Sequence, residues 1–158
     1  MLQSFQVTEP ALVQTLHNVD NAPSELTSQE WALLRKVLRV LKPFKEATEM
    51  LSRHDASISM VIPIVTMIIE DLETEDSRDD HGVLTMKRAL KKGMETRFAA
   101  IEKTDHYIVS TLLDSKFKLF FYRDPDALDK AKTILMDQLV EFLRDDRHDS
   151  EVRQKYFT

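Results

Sequence analysis

Four cations are grouped on one short stretch of the chain in a pattern that suits phosphate binding. They are Lys87, Arg88, Lys91 and Lys92. In a helix, spacings of three and four residues bring such side chains onto one arc, on adjacent turns. A cationic arc can contact phosphates and position a nucleic-acid backbone. The alternative is a solvated helix face whose charge balances the acidic residues just upstream.

A second basic stretch alternates with aromatic residues. It comprises Lys116, Phe117, Lys118, Phe120, Phe121 and Arg123. Aromatic rings beside cations bind single strands, since the rings stack on bases while the cations contact phosphates. Buried rings with exposed lysines are the alternative explanation. Lys116 and Lys118 therefore join the first four cations as candidate DNA-binding residues.

The sequence predicts neither a metal site nor a catalytic site, and no cofactor. The histidines are scattered without i+4 pairs: His17, His54, His81, His106 and His148. The acidic stretch at 70–80 is not an EF-hand, because the sixth position counted from Asp71 is Asp76 rather than glycine. There are no cysteines to ligate zinc or act as nucleophiles, and no G-x-S-x-G motif is present. We therefore expect a protein that is not an enzyme.

The composition is that of a single soluble domain. The chain has 158 residues, 42% of them hydrophobic and 31% charged, with only two glycines. Its net charge is −5, so any contact with nucleic acid must come from a local patch. The most apolar stretch, at 58–69, is well short of the ~20 residues of a membrane span. Without a recognisable signal peptide, we expect an intracellular protein with no membrane contact.

Hydrophobic periodicity predicts an all-α bundle of about six helices. The helices are expected at about 9–18, 27–51, 57–73, 80–101, 105–113 and 124–143. They would form one domain over 1–145, followed by a charged tail at 146–158 that frays. The third helix is apolar nearly all round and should be central. The acidic stretch at 70–80 should form a mobile surface loop.

Local signals mark the second and sixth helices. Thr27 and Glu30 form a capping box at the start of the second helix, and Pro43 should kink it. Trp31 should either pack on a neighbouring segment or meet a partner. The sixth helix should begin with an Asp124 cap followed by Pro125.

Four sequence blocks follow one another in a recognisable order. They are LTSQEW at 26–31, LKPFKEATE at 41–49, ISMVIP at 58–63 and STLLDSKFK at 110–118. This order resembles the central region of hAT-superfamily DNA transposases and of the BED zinc-finger proteins domesticated from them. The Pro-Arg pair that follows the aspartate in the family is Ser115-Lys116 here, which keeps a cation and loses a rigid turn.

The resemblance implies a helical insertion within an RNase H-like catalytic fold, in an excised fragment or truncated relative of a larger protein. In the family the catalytic acids lie outside this region, two aspartates upstream and a glutamate downstream. The zinc finger lies further upstream. The resemblance therefore implies a nuclear protein and no catalytic residue in this chain.

Two functions follow from the sequence. The first is a non-catalytic helical module that contributes to DNA binding or assembly of its parent protein. Its DNA contacts would be weak, sensitive to salt and independent of sequence. The alternative is a protein–protein interaction or dimerisation scaffold with no direct nucleic-acid contact.

Overall fold

The computed structural model describes residues 26–77 and 79–156, together with Ala11 and Gln14, and the described side chains extend to residue 144. This part of the chain contains five α-helices and no strand, which confirms the all-α prediction. The helices are α1 (Ser28–Leu51), α2 (Val61–Glu73), α3 (His81–Arg97), α4 (Asp105–Leu113) and α5 (Pro125–Tyr156). Short 3₁₀ helices span Ile58–Met60 and Ile101–Lys103.

Two sequence predictions concern residues that are only partly described. The first predicted helix, at 9–18, lies outside the described residues apart from Ala11 and Gln14, which are helical. Helix α5 continues to Tyr156. The division into a domain and a tail at residue 145 stays a prediction.

Helix α1 begins at the predicted capping box. The Thr27 hydroxyl accepts a hydrogen bond from the Glu30 amide at 3.2 Å, and the Thr27 amide donates to Glu30 Oε2 at 2.7 Å. The bonds from Thr27 hold the pKa of Glu30 below its ordinary value. Pro43 lies within α1, which runs unbroken to Leu51. Trp31 is only 5% exposed, so it packs within the chain as the local-packing alternative predicts.

Helix α2 is the central helix, as predicted, because it contributes to two hydrophobic cores. The first core joins α1, α2 and α3 through Val40, Ala47, Ile64, Ile68, Leu72 and Val83. The second joins α2, α4 and α5 through Ile62, Ile108, Ala127 and Ala131. An amphipathic helix has one apolar face, whereas α2 must be apolar on two faces to pack on both sides.

Buried hydroxyl groups fix α4 against the segment that precedes α2. Thr111 is fully buried, and its hydroxyl lies within hydrogen-bonding distance of the Tyr107 and Ser59 carbonyls, at 2.9 and 3.2 Å. The Ser59 hydroxyl donates to Asp114 Oδ2 at 2.7 Å. These bonds set the position of the loop that follows α4.

Among the described side chains of α5, those that pack in the second core lie near its start. Its first residue is Pro125, and the Asp124 carboxylate accepts a hydrogen bond from the Asp126 amide at 3.0 Å, as the predicted cap requires. The helix has 32 residues and is therefore about 48 Å long. Beyond Ile134 several large apolar side chains are exposed: Met136, Leu139, Val140, Phe142 and Leu143.

Candidate nucleic-acid interface

The four cations of α3 do not share one environment. Lys87 is buried, and its ammonium group donates to the Thr74 carbonyl at 2.8 Å and to Asp79 Oδ2 at 2.7 Å. Arg88 and Lys92 are exposed, and neither forms an ion pair with another described residue. Of the four predicted positions, these two remain fully available to an external anion.

Lys91 lies between these extremes. Its ammonium group pairs with Glu73 at 3.0 Å and with Glu95 at 3.6 Å. Glu73 also pairs with Arg123, at 3.3 Å. The hydrogen bond from Lys91 and the charges of Lys91 and Arg123 hold the pKa of Glu73 below its ordinary value. One carboxylate thus brings the two basic stretches of the sequence together.

We name the resulting surface the basic edge, defined by Arg88, Lys91, Lys92 and Arg123. Three of its members come from α3 and one from the loop before α5. Lys91 and Arg123 both pair with Glu73, whereas Arg88 and Lys92 pair with no described carboxylate. The edge is locally positive although the whole chain carries a net charge of −5.

The acidic loop before α3 is fixed by buried ion pairs. The Asp79 side chain has no exposed surface and pairs with Lys87 of α3 and Arg39 of α1. Next to it, Asp80 pairs with Lys36 at 2.6 Å, and this hydrogen bond lowers the pKa of Asp80. The prediction of a mobile surface loop at 70–80 is therefore wrong in two places: residues 70–73 are the end of α2, with Leu72 in the first core, and Asp79 is buried in ion pairs. Its partner Arg39 is 40 residues away, so local charge patterning does not reveal that pair.

Lys87 could have been identified from its register in the helix. It follows Val83 by four residues and precedes Leu90 by three, so it lies within the apolar stripe of α3 rather than beside it. A lysine at such a position is buried only with a partner. Asp79, eight residues earlier, supplies it.

The aromatic loop (residues 114–123) divides its phenylalanines into two environments. Phe117 and Phe121 are half-buried and pack edge to face, with ring centroids 5.7 Å apart and an interplanar angle of 84°. Phe120 lies between them in sequence and is 84% exposed. Phe117 and Phe121 therefore match the buried-ring alternative, whereas Phe120 does not.

Both ends of the aromatic loop are fastened to the bundle. At its start, Asp114 accepts hydrogen bonds from the Ser59 hydroxyl and the Lys116 amide, and these bonds lower its pKa. At its end, the Glu102 carboxylate accepts from the amides of Arg123 and Asp124, at 3.1 and 2.7 Å. The loop is thus held by side chains that lie outside it as well as within it.

The middle of the loop is fastened as well. The Thr66 hydroxyl of α2 donates to the Phe121 carbonyl at 3.1 Å, and the Tyr122 hydroxyl donates to the Ile108 carbonyl of α4. Burial, reinforced by the negative charge of Glu102, raises the pKa of Tyr122 to about 12. Tyr122 is therefore neutral at physiological pH and remains a hydrogen-bond donor.

The described residues do not assemble a metal centre. No group of three or more histidine, aspartate or glutamate side chains in this part of the chain is placed to hold a metal ion. The sequence contains no cysteine. A zinc finger therefore does not fit these residues. Among the described helices, none is long and apolar enough to cross a membrane.

The helical bundle and its basic edge belong to a chain with clear relatives among zinc-finger proteins. It is 31% identical over 130 residues to zinc finger BED domain-containing protein 6 of Mus musculus and of Homo sapiens, which is 75% of this chain and 13% of each relative. It is 30% identical over 102 residues to zinc finger BED domain-containing protein 4 of Homo sapiens, which is 65% of this chain and 9% of that relative. No family model and no solved structure matches.

The part of the chain that the structure describes is all-helical. The chain spans about a tenth of the length of the zinc-finger proteins it matches. The chain is related to the hAT-derived BED zinc-finger proteins, which confirms the resemblance drawn from the four sequence blocks.

Proposed function

We propose that this chain is a non-catalytic helical module of a hAT-derived nuclear protein and that it binds the backbone of nucleic acid. The observation that carries the proposal is the basic edge, where Arg88 and Lys92 are exposed without a partner among the described residues. Relatives that carry a zinc finger support the same class of ligand, because zinc fingers are common DNA-binding modules.

The proposed contact is electrostatic. Cations that neutralise phosphates release counterions, so the affinity falls as salt rises. The net charge of −5 opposes binding, which makes the contact weak. Phosphate contacts carry no sequence information, so the binding is independent of DNA sequence. Sequence-specific recognition and any catalysis belong to other parts of the parent protein.

Removing two charges from the basic edge is expected to weaken duplex binding and its salt dependence. In the variant R88Q/K92Q, the slope of log affinity against log salt should decrease in magnitude by about 2, one for each lost phosphate contact. Fluorescence anisotropy on a labelled duplex, titrated across a salt series, measures the slope.

The matched control removes two charges elsewhere. Lys42 and Lys45 lie on α1, where they pair with Glu46 and Glu49. The variant K42Q/K45Q changes the net charge by the same amount and should leave the slope unchanged. Equal losses in the two variants would show a general charge effect, and a wild-type affinity that is flat with salt would overturn the proposal.

The alternative function is a self-associating scaffold without nucleic-acid contact. It is favoured by the exposed apolar side chains of α5, which lie close together between Met136 and Leu143. Clustered apolar surface of this kind is typical of protein interaction sites. The two functions can be distinguished, because only the scaffold requires this apolar surface of α5.

Sedimentation velocity over a range of protein concentrations tests the scaffold. If it is correct, wild type should associate as concentration rises, and M136E should abolish the association. Met67 on α2 is a matched control, because it is 56% exposed against 58% for Met136. M67E should associate like wild type, and a wild type that stays monomeric throughout would eliminate the scaffold.

A further inference from the structure

We infer that the aromatic loop is a binding site for single-stranded nucleic acid, in which Phe120 stacks on an unpaired base and Lys116 and Lys118 contact the flanking phosphates. This inference rests on the proposed function, since it names the form of nucleic acid that part of the surface accepts. It adds three residues that the basic edge does not contain.

The exposure of Phe120 is the first observation. Its side chain is 84% exposed, the highest value among the exposed large hydrophobic residues of the described chain. The two neighbouring phenylalanines, Phe117 and Phe121, pack on each other instead. An exposed phenylalanine forgoes the stabilisation of burial. A ring presented in this way is suited to a ligand that covers its face.

The loop is hydrogen-bonded on both sides of the ring. The carbonyl of Asp114 accepts hydrogen bonds from the amides of Phe117 and Lys118, at 3.1 and 3.0 Å, and the Phe117 carbonyl accepts from the Phe120 amide at 3.1 Å. With the bonds to Ser59 and Thr66, these contacts hold both sides of Phe120. A ligand would therefore meet a ring whose surroundings are already ordered, which reduces the entropic cost of binding.

Backbone strain lies beside the ring. Lys118 has a φ of 45°, in the left-handed region that residues other than glycine rarely adopt. Such strain persists only where the surrounding contacts impose it, and it is concentrated at functional sites. Here it occurs two residues before the exposed ring, in one of the two lysines that precede it.

The charges of the loop complement a nucleotide. Lys116 and Lys118 are exposed, and neither ammonium group lies within ion-pairing distance of a described carboxylate. Lys116 interacts at longer range with Asp55 and Asp114. The nearby Asp114 carboxylate already accepts bonds from Ser59 and the Lys116 amide. Ring and cations together match a base and its phosphates. Bases in a duplex are stacked on each other, so the ring selects single strands.

Three labelled probes test this inference: a single-stranded thymidine oligonucleotide, an abasic oligonucleotide of the same length, and a duplex. The two single strands carry the same phosphates, and only one has bases. Wild type should bind the thymidine strand about 5- to 150-fold more tightly than the abasic strand, the range for one stacked base. F120A should lose that preference and keep its duplex affinity.

Two further variants distinguish stacking from other roles. F120W restores an aromatic ring and should bind the thymidine strand at least as well as wild type. Leu119 is 53% exposed beside Phe120, and L119A should leave every affinity unchanged. Equal losses in L119A and F120A would overturn the inference, because an aliphatic side chain cannot stack on a base as a ring does.

The failure of this inference is distinguishable from failure of the proposed function. If F120A binds the thymidine strand like wild type while duplex binding keeps its salt dependence, only the stacking site is eliminated. If wild type binds none of the three probes at low salt, both are eliminated. Phe120 is exposed, so its replacement should not disturb the fold, and circular dichroism of each variant checks this.

Discussion

Replacing Asp79 with alanine is expected to lower the free energy of unfolding by about 3–5 kcal/mol, the range for breaking a buried ion pair from one side. The Asp79 side chain has no exposed surface and pairs with both Lys87 and Arg39. Its removal leaves the Lys87 ammonium group, whose side chain is 10% exposed, without a carboxylate. Urea denaturation followed by circular dichroism measures the loss.

A double-mutant cycle tests whether the loss comes from the ion pair itself. The variant K87M replaces the buried charge with an apolar side chain of similar length, while Asp79 keeps Arg39 as a partner. D79A/K87M should therefore be less destabilised than the sum of the single variants. Strict additivity would contradict a direct coupling between the two charges.

An exposed aspartate provides the control. Asp55 pairs with Arg53 at 2.9 Å, but both side chains are more than half exposed. Water solvates these charges when the pair is broken, so D55A should leave the stability nearly unchanged. Equal effects of D55A and D79A would show that burial does not determine the cost.

The second large effect is expected in the hydrophobic core. I62A should lower the free energy of unfolding by about 2–5 kcal/mol, because it removes buried methyl groups and leaves a cavity. Ile62 is fully buried among Ile108, Ala127 and Ala131, where α2, α4 and α5 meet. The urea midpoint should fall without a change in the m-value.

Ile58 is a matched control for this prediction. It is the same residue type, lies four positions earlier and is 46% exposed. I58A should cost less, since nearly half of the Ile58 surface is already in water. A comparable cost for I58A and I62A would contradict the assignment of the second core to Ile62 and its neighbours.

Several features were predictable because they depend on residues that are close in sequence. The capping box pairs Thr27 with Glu30, three residues apart, and Asp124 with Pro125 marks the start of α5. The apolar pattern of the third predicted helix was enough to identify it as central, because a helix apolar on two faces has to pack on both. The hAT resemblance was readable for the same reason, since each block is short.

The burial and the partners of individual side chains were less predictable from the sequence. Charge and helical spacing group Lys87 with Arg88, Lys91 and Lys92, although its register places it within the apolar stripe of α3. Phe117, Phe120 and Phe121 are the same residue type in one loop, yet two are half-buried and one is exposed. Charge and residue type describe what a side chain can do, whereas its neighbours determine what it does.

The sequence by itself determined the helices, the all-α class and the family, since helix periodicity and caps act over three or four residues and short blocks carry the resemblance. Only the tertiary structure decided the ion pair between Arg39 and Asp79, which are 40 residues apart, and the joining of two basic stretches at Glu73. The physical reason is range. A charged or aromatic side chain interacts with the groups that are near it in space. The packing of α2 between the two cores brings residues that are distant in sequence near each other.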